Sequence, residues 1–125
     1  MTAAGGTSLR NIRIFDAFRC AILGKPEAVE IFKQFPDFPD PEGLYYMGRA
    51  CSHVGALDEA LDLVGRAERR GFFCYPFLMR DPWLDPLRGD ARLNEILHRA
   101  ESKWRDAQRA FESHPGSRVL SIGAK

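Results

Sequence analysis

Few residues in this chain are spaced for chemistry. The three histidines, His53, His98 and His114, stand apart in sequence. None has the HExxH spacing that sets two imidazoles on one helical face for zinc. Neither a GxSxG nucleophile turn nor a glycine-rich phosphate loop occurs. Cys51 and His53 are close enough to suggest a thiol–imidazole pair. Two residues apart on a helix, they point to different faces. Asp81, Asp85 and Asp90 are the densest carboxylate set, and clustered oxygens raise the question of calcium. Pro82 and Pro86 follow the first two and no bidentate glutamate is in place, so three helix N-caps are the better reading. Arg88, between Asp85 and Asp90, suits a guanidinium–carboxylate fork that pins the loop. Arg66, Arg69 and Arg70 fall at the negative end of a helix dipole, interrupted by Glu68, and read as a helix end and not a phosphate site.

The bulk properties narrow the class further. The chain has 125 residues, 45% apolar and 28% charged, which suits one globular domain able to bury a core without metals or disulfides. Its formal net charge is +1 with both signs interspersed. A nucleic-acid platform or a polybasic membrane anchor needs a clustered basic face, so neither is expected. Cys20, Cys51 and Cys74 are far apart, with no CxxC pair or metal-ligand spacing. An odd, scattered set fits a reducing compartment. Met1 to Ser8 lacks the charged start and apolar core of a signal peptide, and no apolar run is long enough to span a bilayer. The expectation is a cytoplasmic protein that is not an enzyme and carries no cofactor or metal.

The elements follow from periodicity and punctuation. Leu9, Ile12, Ile14, Phe15, Phe18, Ile22 and Leu23 form a wide apolar stripe on a first helix closed by Gly24. Pro26 and Glu27 start a second, carrying Ala28, Val29, Ile31 and Phe32 to about Gln34. Three prolines in Phe35 to Pro41 break the chain, and Asp40-Pro41 reads as an N-cap with a first-turn proline. Leu44, Met47, Gly48, Cys51 and Val54 share one helical face, as do Leu57, Ala60, Leu61, Val64 and Ala67 on the next helix. Gly55-Ala56 is the hinge between them. Gly48 and Ala60 are placed to let two backbones approach closely. A short helix over about Pro76 to Arg80 and one or two turns from Trp83 to Arg88 precede a last helix capped by Asp90. That helix runs from about Ala91 to Glu112, roughly 33 Å at 1.5 Å per residue. Its stripe is Leu93, Ile96, Leu97, Ala100, Trp104, Ala107 and Phe111. Trp83 and Trp104 read as core residues.

The stretch Glu42 to Phe72, with its Gly48, Ala60 and Ala67, resembles a tetratricopeptide repeat. Gly24-Lys-Pro-Glu-Ala28 parallels Gly55-Ala-Leu-Asp-Glu-Ala60, and the two alanines lie 32 residues apart, near the 34-residue period of that family. Leu44, Cys51, Val64 and Phe72 replace the family's usual tryptophan, tyrosine, phenylalanine and closing proline. Asp81 to Leu93 looks like the closing segment of bacterial repeat arrays appended to signalling proteins. The resemblance covers roughly Lys25 to Phe111. It implies an all-α chain, a short right-handed superhelix of helix–turn–helix units with a long C-terminal capping helix. On that basis residues 1–8 form a disordered N-terminus, 9–114 the helical domain and 115–125 a flexible tail, in which Val119, Leu120 and Ile122 are available to dock.

The resemblance also implies a role. In the family the first helix of each unit lines a concave face that contacts peptides. Carried onto this chain, the outward residues are Glu42, Tyr45, Arg49, Ser52 and His53, with Arg10 and Arg13 extending the face. Tyr45 beside Arg49 makes a large, amphipathic, charged contact pair. It differs from the lysine and asparagine of the family's clamp for C-terminal carboxylates. The implied function is a scaffold binding a protein or peptide partner, within a larger signalling protein or as a homo-oligomer. A solvated face with no ligand competes with that reading. So do a terminal cap for a longer array and a small helical enzyme or ligand-binding domain with a pocket lined by Phe72, Phe73, Tyr75 and Trp83.

Overall fold

The computed structural model describes residues 3–36 and 38–113, with side chains from Arg13 onward. The calls on Met1, Thr2, His114 and the tail 115–125 lie outside the described residues, as do the side chains of Leu9, Arg10 and Ile12. The described residues are all-α, with no strand. They form α1 (Ala3–Ile22), α2 (Glu27–Phe32), α3 (Pro41–His53), α4 (Leu57–Arg69), α5 (Tyr75–Arg80), a 3-10 helix (Pro82–Leu87) and α6 (Ala91–Glu112). α1 begins at Ala3, earlier than the start expected at Leu9.

Helix ends are set by local chemistry. Asp40 accepts the Gly43 N–H at 3.0 Å ahead of Pro41, and Asp90 accepts the Arg92 N–H at 2.8 Å. Each carboxylate thereby satisfies a donor that the helix leaves unpaired. Asp81 caps the 3-10 helix through the Trp83 N–H at 3.1 Å. Asp85, expected as a third cap, instead lies inside that 3-10 helix and pairs with Arg88. α1 and α3 close in the same way. Lys25 N–H donates to the Cys20 carbonyl and Ala56 N–H to the Cys51 carbonyl, each at 2.9 Å. Gly24 and Gly55 sit at φ +77° and +90° one residue earlier, where a Cβ would strain the turn. The two hinges are thus repeats of one another in backbone as well as in sequence.

The core forms where three hairpins meet: α1 with α2, α3 with α4, and the α5/3-10 segment with α6. Leu44, Tyr45, Met47 and Cys51 of α3 pack with Ala60, Leu61, Val64 and Ala67 of α4 in one buried cluster, together with Leu78, Leu84, Leu87, Leu93 and Ile96. At Gly48 a Cβ would stand 2.7 Å from Val64 Cγ2 and 3.0 Å from the Val64 backbone nitrogen, so α3 approaches α4 as closely as the glycine allows.

Two stripes divide differently from the periodicity. α1 buries Ala17 and Ala21 and packs Phe18 on Phe32 at 5.1 Å, but leaves Phe15, Ile22 and Leu23 exposed, because α2 and α3 cover only that side of it. On α6, Leu93, Ile96 and Ala100 are buried, Trp104 is only half-buried, and Ala107 and Phe111 are exposed, since the last two turns run past the body that the first half packs against. Trp83 is half-buried as well.

Candidate functional site

The residues expected to face a ligand on α3 converge on one carboxylate of the chain itself. Asp81 follows α5 and its side chain has no exposed surface. Arg49 grips it in a two-pronged fork, Nε to Oδ2 at 2.6 Å and Nη2 to Oδ1 at 2.7 Å. The Tyr45 hydroxyl donates to Oδ2, and the Trp83 N–H donates to Oδ1. Arg88 reaches the Asp81 carbonyl at 3.1 Å. Burial would push the Asp81 carboxyl up, but hydrogen bonds from Arg49, Tyr45 and Trp83, with the Arg49 charge, outweigh it and hold the group below the usual carboxylate range. Burial, reinforced by the Asp81 carboxylate, pushes the Tyr45 phenol well above its ordinary value. Near neutral pH the site therefore holds a fixed anion and a fixed neutral phenol, with no proton poised to move.

Trp83 extends this node toward the surface. The Arg49 guanidinium lies 4.2 Å over its ring, and the His53 imidazole stacks on it at 4.0 Å and 10°. The Ser52 hydroxyl donates to the Trp83 carbonyl at 2.6 Å. The outward placement expected for Tyr45 and Ser52 is overturned, as both are fully buried. Arg49 is half-buried, while Glu42 and His53 are exposed. The reason is that Asp81 to Trp83 lies across this face of α3. The aromatic quartet expected to line a pocket is likewise packed inward. Phe72 stacks on Tyr45 at 4.4 Å, and Phe73, Tyr75 and Trp83 lie against the core.

What α3 does offer at the surface is a rim one residue along. Tyr46 is 40% exposed and donates to Glu42, and Phe77 of α5 is 43% exposed with its ring edge-on to Tyr45. Between α3 and α5 lies an open cleft of about 440 Å³ lined by Arg49, Cys74, Pro76, Phe77, Arg80, Asp81 and Pro82. Arg80 is exposed and makes no ion pair among the described residues. Sequence reasoning passed over Tyr46, Phe77 and Arg80. Tyr46 was legible as the polar-face neighbour of Tyr45, but the other two needed α5 to be docked.

A second buried carboxylate was also missed. Glu68 is 1% exposed and receives Arg99 at 2.8 Å and Lys103, which also donates to the Glu68 carbonyl. Burial opposes its ionisation, yet the bonds to Lys103 and Arg99 prevail and keep it below the usual range. Its position four and seven residues along the stripe from Val64 and Leu61 was the available signal. The neighbouring arginines bind the linker: Arg66 donates to the Pro36 carbonyl and Arg70 to that of Phe38 at 2.7 Å. Arg88 pairs with Asp85, whereas Asp90 is taken by Arg92.

A separate cleft of about 380 Å³ opens between α2 and α4, lined by Val29, Phe32, Phe35, Leu63 and Cys51 with charged residues at its mouth. Burial pushes the Cys51 thiol up to about 12, so the sulfur is an apolar wall and not a nucleophile. No helix among the described residues is long and apolar enough to cross a membrane, and no three His, Cys, Asp or Glu side chains among them gather as a metal site. Comparison with family models, curated proteins and solved structures returns no match.

Proposed function

We propose that this chain is a protein-interaction module, a tetratricopeptide-like scaffold that takes a peptide segment or partner domain along the α3–α5 face. The observation that carries this reading is the cleft itself. The half-exposed Phe77 and Arg80, which makes no ion pair among the described residues, line it, and the Arg49–Asp81 fork forms its floor; Tyr46, 40% exposed, stands one residue along α3 from Tyr45. Tyrosine, phenylalanine and arginine are enriched at interface cores, and a contact surface binds better when its support is already ordered. In this reading Tyr45 and Ser52 serve as foundations. Glu42, Tyr46, Arg49, His53, Phe77 and Arg80 supply the surface. Three free cysteines suit a reducing, cytoplasmic setting, and the implied context is a larger signalling protein.

Selection of displayed peptides on the folded chain tests this. Peptides recovered with wild type should lose at least about tenfold in affinity, or 1.4 kcal/mol, against Phe77→Ala/Arg80→Glu. Unchanged affinity would remove the α3–α5 face from consideration. The α2–α4 cleft supports a second reading, a small-molecule site, because its volume falls in the ligand-pocket range. A thermal-shift screen with metabolites, repeated on Leu63→Glu, addresses that alternative.

A further inference from the structure

The α3–α5 cleft carries one uncommitted charge. Of the residues that line it, Arg49, Arg80 and Asp81 have charged side chains. Both Asp81 oxygens are occupied within the fold, Oδ1 by Arg49 and the Trp83 N–H, Oδ2 by Arg49 and Tyr45, and the side chain has no exposed surface. Arg49 is thereby neutralised. Arg80 is exposed and makes no ion pair among the described residues. Nearby acids do not compensate it. α5 contains none, Glu42 at the start of α3 accepts from Tyr46, and Asp85 pairs with Arg88. The tail 115–125 offers Arg118 and Lys125 and no acidic side chain, so it has the wrong charge to fill the cleft. Beside Arg80 the lining is apolar, with Pro76, Phe77 and Pro82. Phe77 is 43% exposed and stands three residues from Arg80 on α5. Helical residues so spaced are neighbours, about 5–6 Å apart at Cβ.

We infer that the partner segment of this cleft is an acidic peptide, which lays an apolar side chain on Phe77 and an Asp or Glu carboxylate against Arg80. This rests on the reading of the cleft as a peptide site and names the chemistry of its occupant. One guanidinium matches one carboxylate, in charge and in its forked donor geometry. A phosphate dianion calls for a second free cation, and Arg49 is already engaged by Asp81. The lining has no asparagine, serine or threonine to hold the main chain of a peptide end, so the carboxylate belongs to a side chain within the segment. The Phe77–Arg80 spacing is met by apolar and acidic residues two apart in an extended segment, or three or four apart in a helix.

Selection of displayed peptides on the full folded chain, run in parallel on Arg80→Glu, tests this. Wild type should enrich Asp and Glu at that spacing from an apolar residue, and Arg80→Glu should enrich Lys and Arg, with helical circular dichroism unchanged. In a recovered peptide made with an amidated C-terminus, replacing the acid by its amide should weaken binding to wild type by about fivefold to tenfold. Against Arg80→Gln the same replacement should cost less than about twofold. Peptides lost on Phe77→Ala but without acidic enrichment, or an acid-to-amide loss undiminished in Arg80→Gln, would overturn the inference and leave the peptide site standing. So would a preference of about tenfold for phosphoserine over the acid, or for a free C-terminus over the amide. Peptides indifferent to Phe77→Ala would remove the cleft and the inference together.

Discussion

The central α3–α4 hairpin is joined to its two neighbours by different chemistry. Toward the C-terminal unit it uses two buried carboxylates. Asp81 is gripped by Arg49 and Tyr45 of α3, and Glu68 of α4 receives Arg99 and Lys103 of α6. Toward the N-terminal unit it uses apolar contacts, a surface Lys33–Glu59 pair at 3.5 Å, and a proline-rich connector held through its carbonyls by Arg66 and Arg70. Apolar contact is non-directional and so tolerates a range of relative positions. A forked ion pair around an inaccessible carboxylate admits one geometry, since any displacement leaves charge unpaired in a poorly solvated place. The first junction specifies and the second adheres.

The sharpest way to break that contrast is Arg49→Leu. It strands Asp81 without its main counter-charge and should cost about 3–5 kcal/mol in urea denaturation. Hydrogen exchange should rise first in α5 and the 3-10 helix. A loss below about 1 kcal/mol, or exchange rising first in α1, would mean the C-terminal junction does not depend on the fork. Gly48→Ala comes next at about 1–3 kcal/mol, because the added methyl meets the Val64 backbone and not just a movable side chain. It weakens the hairpin that both junctions share, so both should loosen together. Arg66→Ala/Arg70→Ala is the mildest, at about 0.5 kcal/mol per bond. Its exchange signature should be confined to the connector around residues 36–40.

Acid should separate the junctions without mutation. Asp81 and Glu68 both titrate lower in the folded chain than when unfolded. The unfolded state therefore binds protons first, and the stability these groups contribute is complete above their unfolded values of about 4. It is lost as pH falls from there through the lowered folded values. Urea midpoints at pH 7, 4 and 2.5 should show that decline, with Asp81→Asn flattening part of it. An identical decline in Asp81→Asn would show that this carboxylate does not drive it.

How far the sequence disclosed this arrangement depended on the range of the interaction. The α6 boundaries, the caps at Asp40 and Asp90 and the paired hinges at Gly24 and Gly55 are local signals, and the structure places them as read. Periodicity around Tyr45 reported which side chains share a side of α3. It carried no record of what lands there, and Asp81 lies 36 residues away. The α1 stripe shows the converse. Phe15, Ile22 and Leu23 looked like core, yet of its large side chains it is Phe18 that packs there, and alanines fill the places where α2 and α3 come close. Asp81 itself was legible as a cap beside Pro82, but its partners were not.

That single aspartate starts the 3-10 turn, anchors a guanidinium and holds a phenol. Positions 45, 49 and 81 should consequently drift as a unit among descendants of this sequence: asparagine at 81 would release the constraint on arginine at 49, and leucine at 49 would demand a neutral residue at 81 in the same lineage.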